Sequence, residues 1–495
     1  MKFNDMLKKT DLEILESYPV PDFAVNKLCY NSKSVAAGDV FFAIKGLKSD
    51  GNEYIDEAIS RGANAVFSDR VKDIDSKPIY KVADCRKAMA VLSNVYFGYP
   101  SLKMKLIGVT GTNGKTTVTH LINHILEHAG KKTGLIGTNG NVINKRVIET
   151  SFTTPESIDL NKILSEMYEN GAEYVTMEVS SHSLAMKRVF GLEFDTAIFT
   201  NLTPEHLDFH ENMESYLGAK KILFDSMKRI NSKGYRTTVI YNSDDEYGKR
   251  IINDTESERI SYGLKSALYS VENLKMSFEG MSFDMMVPMN GEGTKKFHFD
   301  TKLTGKFNVY NILASGAALK TENIPFDLIQ DAVKGFEPVD GRFNQVKLGN
   351  GAVAIIDYSH TPDSLLKAIE TIREILISTD TKGEIITVFG CGGNRDKLKR
   401  SKMGEIATRL SDRVIITSDN PRDEDPNVII EQIEKGTVNK NYQIEENREK
   451  AIEATIKSSK SGDIILIAGK GHESYQEIKG VRYHLNDKEI ASRFI

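Results

Sequence analysis

The sequence predicts an α/β protein of three domains, and three observations support this fold class. The length of 495 residues exceeds what one hydrophobic core normally supports, so several domains of roughly 100–200 residues each are expected. Short apolar runs alternate with helical patterns, which is typical of mostly parallel sheets covered by helices. One such run, at residues 105–111, leads into a glycine-containing loop and a long amphipathic helix, as in many nucleotide-binding domains.

The first predicted domain, residues 1–103, is a small α/β unit. A strand-like run at 40–46 is followed by the Asp50-Gly51 turn, a helical pattern at 53–63 and a second strand-like run at 65–68. The pattern predicts a compact α/β module that closes near the YFGYPS segment at 96–101.

The second predicted domain, residues 104–340, carries the glycine loop and its helix. Further buried-strand candidates follow at 173–180, 196–202 and 237–242. A polar, alternating stretch, roughly 258–303, predicts antiparallel hairpins before a helix at 308–320.

The third predicted domain, residues 341–495, is a Rossmann-like α/β unit. Strand candidates at 352–359, 384–390, 413–419 and 463–469 are separated by helical patterns. Each candidate strand ends in a polar or glycine turn, and open parallel sheets bind their ligands at such turns. We therefore expect a ligand site at the carboxyl ends of these strands.

Composition and charge are those of a soluble cytoplasmic protein. The apolar fraction of 40% is ordinary, and the net charge of −4 gives no support for nucleic-acid binding. The three cysteines are widely spaced and fit a reducing compartment. The N-terminus mixes acidic residues into its apolar ones, unlike a signal peptide, and no apolar run approaches the roughly 20 residues that span a bilayer.

The segment GVTGTNGKTT, at 108–117, predicts a phosphate-binding loop. Backbone amides and the positive end of the following helix would surround phosphate oxygens, Lys115 would neutralise charge on the β- and γ-phosphates, and Thr116 would hold Mg²⁺. The usual P-loop spacing has glycine where this chain has Val109. The alternative interpretation, a glycine-rich turn with a surface lysine, leaves the threonine pair unexplained.

Two further groups of polar residues have competing interpretations. His120, His124 and His128 are spaced so as to share one helix face, where a metal site or, as we favour, a polar helix edge would lie. Glu178 and His206 each follow an apolar run and could complete a Mg²⁺ site beside the phosphate loop. Ordinary hydrogen bonding in turns accounts for this second pair equally well.

An ordered series of motifs resembles the Mur ligase family over essentially the whole chain. The motifs are GTNGKTT, TTPE (153–156), MEVSSH, FTNLTPEHLDFH, YLGAKKILF (216–224), FNVYN, DGRF (340–343), DYSHTPDSL, FGCGGNRD, DNPRDEDP and GKGHESYQ (469–476). The resemblance implies an N-terminal UDP-binding domain, a central ATPase domain and a C-terminal Rossmann-like domain that carries the amino-acid site.

The resemblance also implies an activity. It is the ATP-dependent addition of meso-2,6-diaminopimelate to UDP-N-acetylmuramoyl-L-alanyl-D-glutamate, through an acyl phosphate, in cytoplasmic peptidoglycan precursor synthesis. We expect a monomer with no membrane span and no nucleic-acid partner. The alternatives are L-lysine as acceptor, another ligase of the superfamily such as the D-alanyl-D-alanine ligase or a folylpolyglutamate synthetase, a P-loop nucleotide hydrolase switch, and a non-catalytic UDP-sugar-binding module.

The resemblance assigns roles to individual residues. The expected catalytic residues are Lys115, Glu178, His206 and Lys220, and the expected Mg²⁺ ligands are Thr116, Glu178, His206 and a carbamate on Lys220. The expected ATP contacts are Gly111, Thr112, Asn113, Gly114, Lys115, Thr116, Thr117, Asn308, Arg342, Asp357 and His360. The expected UDP-substrate contacts are Ser32, Thr153, Thr154, Ser180, Arg188 and Lys220. The expected diaminopimelate contacts are Arg395, Asp419, Asn420, Pro421, Arg422, Gly469 and Glu473.

The DNPR motif carries the prediction of the acceptor. Meso-diaminopimelate differs from lysine by a carboxylate at its far end, and a guanidinium fork such as that of Arg422 grips a carboxylate through two parallel hydrogen bonds. Glu473 suits the neighbouring ammonium group. The chain departs from the family pattern at Asn31-Ser32-Lys33, usually Asp-Ser-Arg, at Asn394, usually aspartate, and at Ser401, usually proline.

Overall fold

The computed structural model describes residues 1–46, 49–71, 74, 76–148, 150, 152–289 and 293–495. The N-terminal sheet contains β1 (Ile14–Ser17), β2 (Leu28–Cys29), β3 (Asp39–Phe42), β4 (Ala63–Ser68) and β5 (Ile79–Val82), in the order β1-β5-β4-β3-β2. Its helices are α1 (Phe3–Lys8), α2 (Ile55–Ser60) and α3 (Cys85–Tyr96). The pairs among β2 to β5 are parallel and β1 is antiparallel to β5.

The central sheet is mostly parallel, in the order β13-β12-β11-β6-β10-β7-β8-β9. Its strands are β6 (Lys105–Thr110), β7 (Thr133–Gly137), β8 (Gly140–Ile143), β9 (Arg146–Ile148), β10 (Tyr174–Glu178), β11 (Thr196–Phe199), β12 (Thr238–Asn242) and β13 (Glu258–Tyr262). Its helices are α4 (Lys115–His128), α5 (Ser157–Glu169), α6 (Ser181–Ala185), α7 (Leu207–His210), α8 (Met213–Asp225), α9 (Gly248–Ile251), α10 (Lys306–Thr321) and α11 (Phe326–Gly335). The strand candidates predicted here from apolar runs are all strands.

The stretch predicted as hairpins divides into two structures. β14 (Ser270–Ser277), β15 (Gly280–Met289) and β16 (Gly293–Thr301) form the predicted antiparallel sheet, while residues 290–292 lie outside the described residues. The prediction was wrong for 258–262, because β13 pairs in parallel with β12 at the edge of the central sheet. An edge strand with one solvated face has the same alternating pattern as a hairpin strand, so the sequence could not separate them.

The C-terminal sheet has the order β17-β18-β22-β19-β20-β21, with only β17 antiparallel among the described pairs. The strands are β17 (Asn344–Lys347), β18 (Val353–Asp357), β19 (Ile385–Phe389), β20 (Arg413–Ile416), β21 (Tyr442–Ile444) and β22 (Ile464–Ala468), and a separate hairpin contains β23 (Tyr475–Ile478) and β24 (Val481–His484). The helices are α12 (Pro362–Ser378), α13 (Leu398–Leu410), α14 (Pro426–Glu434), α15 (Arg448–Ser458) and α16 (Asp487–Ser492).

The predicted α/β fold with mostly parallel sheets is confirmed. The N-terminal and C-terminal sheets contribute to separate apolar clusters, while the β14–β16 sheet shares a cluster with the central sheet. The domain boundaries at 103/104 and 340/341 stay predictions. Within the described residues, no helix combines the length and apolar character that crossing a bilayer requires.

Register places functional residues at one edge of the central sheet. Glu178, the last residue of β10, lies opposite Val109 of β6, and Phe199, the last residue of β11, lies opposite Thr110. The segments that follow these strands therefore begin side by side at their carboxyl ends, where parallel sheets bind ligands. The loop before α4 is one of those segments.

Candidate active site

The loop between β6 and α4 is built for close approach of its backbone. Gly111 and Gly114 have φ angles of +150° and +88°, which favour glycine. A Cβ on Gly111 would lie 1.9 Å from Thr200 Oγ1, and one on Gly114 would lie 2.6 Å from Asn311 Oδ1. The Asn113 amide donates to Asn201 Oδ1 at 2.9 Å, so the segment after β11 fixes the loop from one side.

This loop opens onto a cavity of 540 Å³ shared by the central and C-terminal regions. The predicted ATP residues Thr112 to Thr117 line it from one side, and Arg342, Asp357 and His360 line it from the other. Its volume is in the range of sites for cofactor-sized ligands. The structure thus brings together residues that lie more than 200 positions apart in the sequence.

Lys115 and Lys220 converge on one carbonyl. Lys115 Nζ donates to Gly111 O at 3.0 Å and to Thr112 O at 2.7 Å, while Lys220 Nζ donates to Gly111 O at 2.8 Å. Lys220 is 1% exposed, and its ammonium lies 4.6 Å from the centre of the Tyr216 ring. Burial, together with the charge of Lys115, lowers the pKa of Lys220 well below its usual value, and burial also lowers the pKa of Lys115. Lys220 is therefore a buried amine and not the surface lysine that helix spacing alone would favour.

Glu178 supplies a buried carboxylate to the cavity. Its Oε1 accepts a hydrogen bond from the Thr138 amide at 2.8 Å, and its Oε2 accepts one from the Thr138 hydroxyl at 3.2 Å. A Cβ on Gly137 would lie 2.5 Å from Glu178 Oε1, so the end of β7 must approach closely here. The carboxylate is held in place by β7 and the turn after it, and it faces the same cavity as Thr116.

His206 stands beside a second, partly buried carboxylate, Glu205, which the sequence analysis did not single out. His206 Nε2 lies 3.7 Å from Glu205 Oε2, and His360 Nε2 lies 3.1 Å from Glu205 Oε1. Burial lowers the pKa of His206 to about 4. Burial alone would raise the pKa of Glu205, but His206, His360 and Lys115 outweigh it and lower that pKa. Glu205 directly precedes His206 in the TPEH motif, which is the signal that could have identified it.

Arg342 reaches from the C-terminal region onto the phosphate loop. Its Nη2 donates to Thr116 Oγ1 at 3.1 Å, and its guanidinium carbon lies 4.7 Å from the centre of the Tyr358 ring. Asp357 accepts a hydrogen bond from the Phe343 amide at 2.8 Å, and burial raises the pKa of its carboxyl. Asp363, which the sequence analysis also missed, accepts a hydrogen bond from Asn113 Nδ2 at 3.1 Å and closes a further contact between the two regions.

Asn308 stays a predicted ATP contact, and the structure places a second asparagine, Asn311, directly beside the phosphate loop. Asn311, and not Asn308, is among the described residues that line the cavity. Asn308 Nδ2 donates to Thr304 O at 2.9 Å, and Asn308 Oδ1 accepts from Asn311 Nδ2 at 2.9 Å. Asn308 therefore lies behind Asn311 and orients it against Gly114. Both asparagines belong to the FNVYN motif and lie three residues apart on α10. The orientation of this helix decides which of them faces the loop.

The residues expected near the sugar nucleotide divide into two groups. Thr153 and Ser180 line the cavity, and Thr154 is buried beside them, where its hydroxyl donates to Glu178 O at 2.9 Å. Arg188 is buried against Glu156, with Nε 2.9 Å from Oε1. Ser32 lies apart in the N-terminal domain, where its hydroxyl donates to Glu57 Oε2 at 2.8 Å.

The residues expected to contact the acceptor gather at the carboxyl ends of β20 and β22. Asn420 Nδ2 donates to Glu473 Oε2 at 2.7 Å, and a Cβ on Gly469 would lie 2.7 Å from Asp419 Oδ2. The Arg422 side chain is 20% exposed, and its Nη1 donates to Gly393 O at 2.8 Å. Pro421 is buried in the same turn, whereas Arg395 is exposed. A Cβ on Gly392 would lie 2.9 Å from Arg422 Nη1 and 3.8 Å from Arg395 Cγ, so both arginines lie beside this glycine. The acceptor cluster adjoins the cavity, because the Gly469 amide donates to Asp357 O at 3.0 Å.

The cavity offers oxygen ligands of the kind that Mg²⁺ prefers. Thr116, Glu178 and Glu205 all line it. Mg²⁺ usually binds one or two carboxylates together with substrate phosphates and water, and the residues present fit this coordination preference. Among the described residues, no group of three or more His, Cys, Asp or Glu side chains has the geometry of a complete metal site. Phosphate oxygens would thus have to complete the coordination.

A phosphate loop that faces a Rossmann-like sheet across a shared cavity is typical of an enzyme that holds a nucleotide between two domains. Three family domains match the chain: the Mur ligase family catalytic domain at 24–97, the Mur ligase middle domain at 109–319 and the Mur ligase glutamate ligase domain at 341–471. The chain belongs to the Mur ligase family.

Relatives match over nearly the full length. A Clostridium acetobutylicum protein called UDP-N-acetylmuramoyl-L-alanyl-D-glutamate--2,6-diaminopimelate ligase 1 is 44% identical over 475 residues, which is 95% of each chain. An Aquifex aeolicus ligase with the same substrates in its name is also 44% identical, over 95% of this chain and 94% of its own. A solved structure of a ligase with those substrates in its name has a TM-score of 0.68 at 28% identity and covers 99% of this chain and 98% of that one.

Proposed function

We propose that this ligase adds meso-2,6-diaminopimelate to UDP-N-acetylmuramoyl-L-alanyl-D-glutamate, with hydrolysis of ATP to ADP and phosphate. The observation that carries the proposal is the position of Arg422, whose guanidinium is partly exposed at the mouth of a cluster that also holds Asn420 and Glu473. The names of the full-length relatives agree with this assignment. The proposal includes the domain boundaries at 103/104 and 340/341, a cytoplasmic location and a monomeric enzyme.

In this proposal the nucleotide lies between the phosphate loop and the C-terminal region. The loop amides and Lys115 hold the phosphates, while Arg342 and His360 approach from the opposite wall of the cavity. Asn311, supported by Asn308, orients the loop from behind. Alignment and charge neutralisation dominate phosphoryl transfer, so a rigid loop with a buried lysine is suited to it.

The Mg²⁺ ion would be held by Thr116, Glu178 and His206, and Glu205 lies nearby. A carbamate on Lys220 would add an anionic oxygen ligand. The bound ion supplies charge neutralisation for the transferred phosphoryl group. The carbamate is supported by geometry, because Lys220 and Lys115 donate to the same carbonyl and two buried ammonium groups would repel each other there. Carbamylation would make Lys220 an anion that Lys115 can neutralise.

The reaction would proceed in two steps. A carboxylate oxygen of the substrate's D-glutamate attacks the γ-phosphorus of ATP, the bond to the bridging oxygen breaks, and ADP leaves behind an acyl phosphate. The acceptor's amine nitrogen then attacks the acyl carbon, and phosphate and one proton are released as the amide forms. Thr153, Thr154, Ser180 and Arg188 would position the sugar nucleotide, and Ser32 would lie toward its uridine end.

At the acceptor site, Arg422 would bind the far carboxylate and Glu473 the neighbouring ammonium. One guanidinium nitrogen of Arg422 is already tied to Gly393 O, so the group is oriented before the acceptor arrives. The rest of the acceptor site would be lined by Asp419, Asn420, Pro421 and Gly469. Arg395 would approach from the exposed loop. Charged hydrogen bonds contribute about 1.5–3 kcal/mol each, so losing one such bond should cost roughly 10- to 100-fold in selectivity.

An acceptor panel tests the proposal. Phosphate release is measured with ATP, the UDP-dipeptide and either meso-diaminopimelate or L-lysine, for the wild type and for Arg422→Lys. We expect the wild type to prefer meso-diaminopimelate and the variant to lose roughly 10- to 100-fold in kcat/KM for that acceptor alone. Faster wild-type turnover with lysine would overturn the assignment, and phosphate release without any acceptor or UDP-dipeptide would indicate a nucleotide hydrolase.

A further inference from the structure

Two loops meet around Arg422. The first, residues 391–396, follows β19, and the second, residues 419–425, follows β20. The Gly393 amide donates to Asn420 O at 2.9 Å, while Gly393 O accepts from Arg422 Nη1. A Cβ on Gly393 would lie 1.9 Å from Pro421 O, which shows how closely the two backbones approach. We call these segments the first and second acceptor loops.

A buried ion pair joins the bases of the two loops. Arg400, which is 0% exposed, donates from Nη1 to Glu424 Oε2 at 2.9 Å and from Nη2 to Glu424 Oε1 at 3.0 Å. Arg400 Nη2 also donates to Gly392 O at 3.1 Å. The forked pair with Arg400 lowers the pKa of Glu424 to about 2. The Asn394 amide also donates to Glu424, at 2.6 Å from Oε1. The Arg422 backbone is held separately, because its amide donates to Glu477 O at 3.0 Å and its carbonyl accepts from the Lys479 amide at 2.7 Å.

The outer ends of the two acceptor loops are joined by the amide side chain of Asn394, which both donates and accepts a hydrogen bond. Asn394 Nδ2 donates to Asp423 Oδ2 at 2.9 Å, and Asn394 Oδ1 accepts from the Asp423 backbone amide at 3.3 Å. Asp423 directly follows Arg422. Arg422 has φ of +50° and Asn394 has φ of +53°, a region that is strained for arginine and more readily adopted by asparagine.

This contact depends on the amide of Asn394. A carboxylate can only accept hydrogen bonds, so it could not donate to the carboxylate of Asp423. An aspartate at 394 would place two like charges about 3 Å apart, and such pairs repel. Asn394 stands where the family usually has aspartate, and in this chain its partner across the loops is an acid.

We propose that Asn394 and Asp423 are positioning residues that set acceptor selectivity, because their contact holds the first acceptor loop where Gly393 O orients the guanidinium of Arg422 toward the acceptor's far carboxylate. The inference rests on the proposed function and deepens it. Neither residue needs to touch the acceptor. Repulsion between the side chains at 394 and 423 would displace the carbonyl of Gly393, which directly precedes Asn394, and with it the guanidinium of Arg422 that donates to this carbonyl.

Charge-swap variants of the full-length enzyme test the inference. Asn394→Asp should raise KM for meso-diaminopimelate about tenfold, from the loss of one charged contact at Arg422, with kcat and KM for ATP nearly unchanged. The double variant Asn394→Asp/Asp423→Asn restores a donor opposite the new carboxylate and should return KM to near the wild-type value. Kinetics with L-lysine, which has no far carboxylate, should not change between these variants.

Asn427→Asp is the matched control. Asn427 Nδ2 donates to Glu446 Oε2 at 3.2 Å, so the same substitution creates a like-charge pair outside both acceptor loops. Its KM for meso-diaminopimelate should stay at the wild-type value. An unchanged KM in Asn394→Asp, or a raised KM that Asp423→Asn does not restore, would overturn the inference while leaving the proposed function intact. A wild-type preference for lysine would instead overturn the proposed function.

Discussion

Replacing Lys220 with alanine tests the most unusual part of the proposed chemistry. Lys220 is 1% exposed, and its Nζ shares Gly111 O with Lys115. If its carbamate contributes one fixed anionic oxygen to the site, Lys220→Ala should lower kcat by about 10²- to 10³-fold, the usual cost of one preorganised charged group. Folding should survive, because the substitution also removes a buried polar group whose desolvation opposes folding.

The alanine variant also leaves a space that a small acid can enter. Formate or acetate supplies a carboxylate without the tether, and millimolar concentrations should recover part of the lost kcat. Lys221→Ala is the matched control, because Lys221 follows directly on α8 but points toward Asp225 and Asp254, with Nζ 2.7 and 2.5 Å from their carboxylates. Its kcat should stay within a few-fold of the wild type, with no response to the acids.

The assay is initial-rate phosphate release at saturating substrates, combined with ¹³C NMR of enzyme equilibrated with ¹³C-bicarbonate. We expect a carbamate resonance in the wild type and in Lys221→Ala but not in Lys220→Ala. Full activity of Lys220→Ala that short acids do not alter, together with identical spectra for the wild type and this variant, would refute the reasoning.

The remaining predictions concern stability and the junction between the central and C-terminal regions. Arg448→Ala should lower the free energy of unfolding in urea by about 3–5 kcal/mol, because it leaves Asp487 buried and unpaired. The double variant Arg448→Met/Asp487→Leu should recover most of that loss. Equal stability of the wild type and the single variant would contradict this prediction. Gly341→Ala should lower kcat and stability together, because the residue has φ of +72° and its Cβ would lie 2.1 Å from the His472 backbone nitrogen. Gly335→Ala, where no heavy atom lies within 4 Å of the new Cβ, should preserve both quantities, and an equal effect of the two substitutions would refute the steric explanation.

Local sequence patterns were sufficient for the elements that carry the site. The phosphate loop, the buried strands and the polar turns after them follow from periodicity and from glycine spacing, and the carboxyl ends of parallel strands meet at one edge for simple geometric reasons. The sequence therefore predicts Glu178 at the end of a strand near the loop, with a Mg²⁺ site and turn hydrogen bonding as competing interpretations.

The rest depends on contacts between distant segments. Helix spacing alone favours a surface position for Lys220, and only the packing of α8 against the phosphate loop buries it. The choice between Asn308 and Asn311 depends on how α10 is rotated against the loop. Glu205 contacts His360, which lies 155 positions away in the sequence. The hydrogen bond between Asn394 and Asp423 likewise joins two separate loops.

Contacts between the central and C-terminal regions explain why this enzyme needs both to form one site. Asn113 donates to Asp363, Arg342 donates to Thr116, and His360 contacts Glu205, each at a distance of 3.1 Å. All three contacts reach the phosphate loop or the segment beside His206, which are the parts proposed to hold ATP and Mg²⁺. Because the acceptor loops belong to the same sheet as Asp357, any shift of the C-terminal region that breaks these contacts also moves Arg422. Coupling between nucleotide binding and acceptor binding would therefore run through this shared sheet, and each ligand would then change the affinity for the other by the same factor.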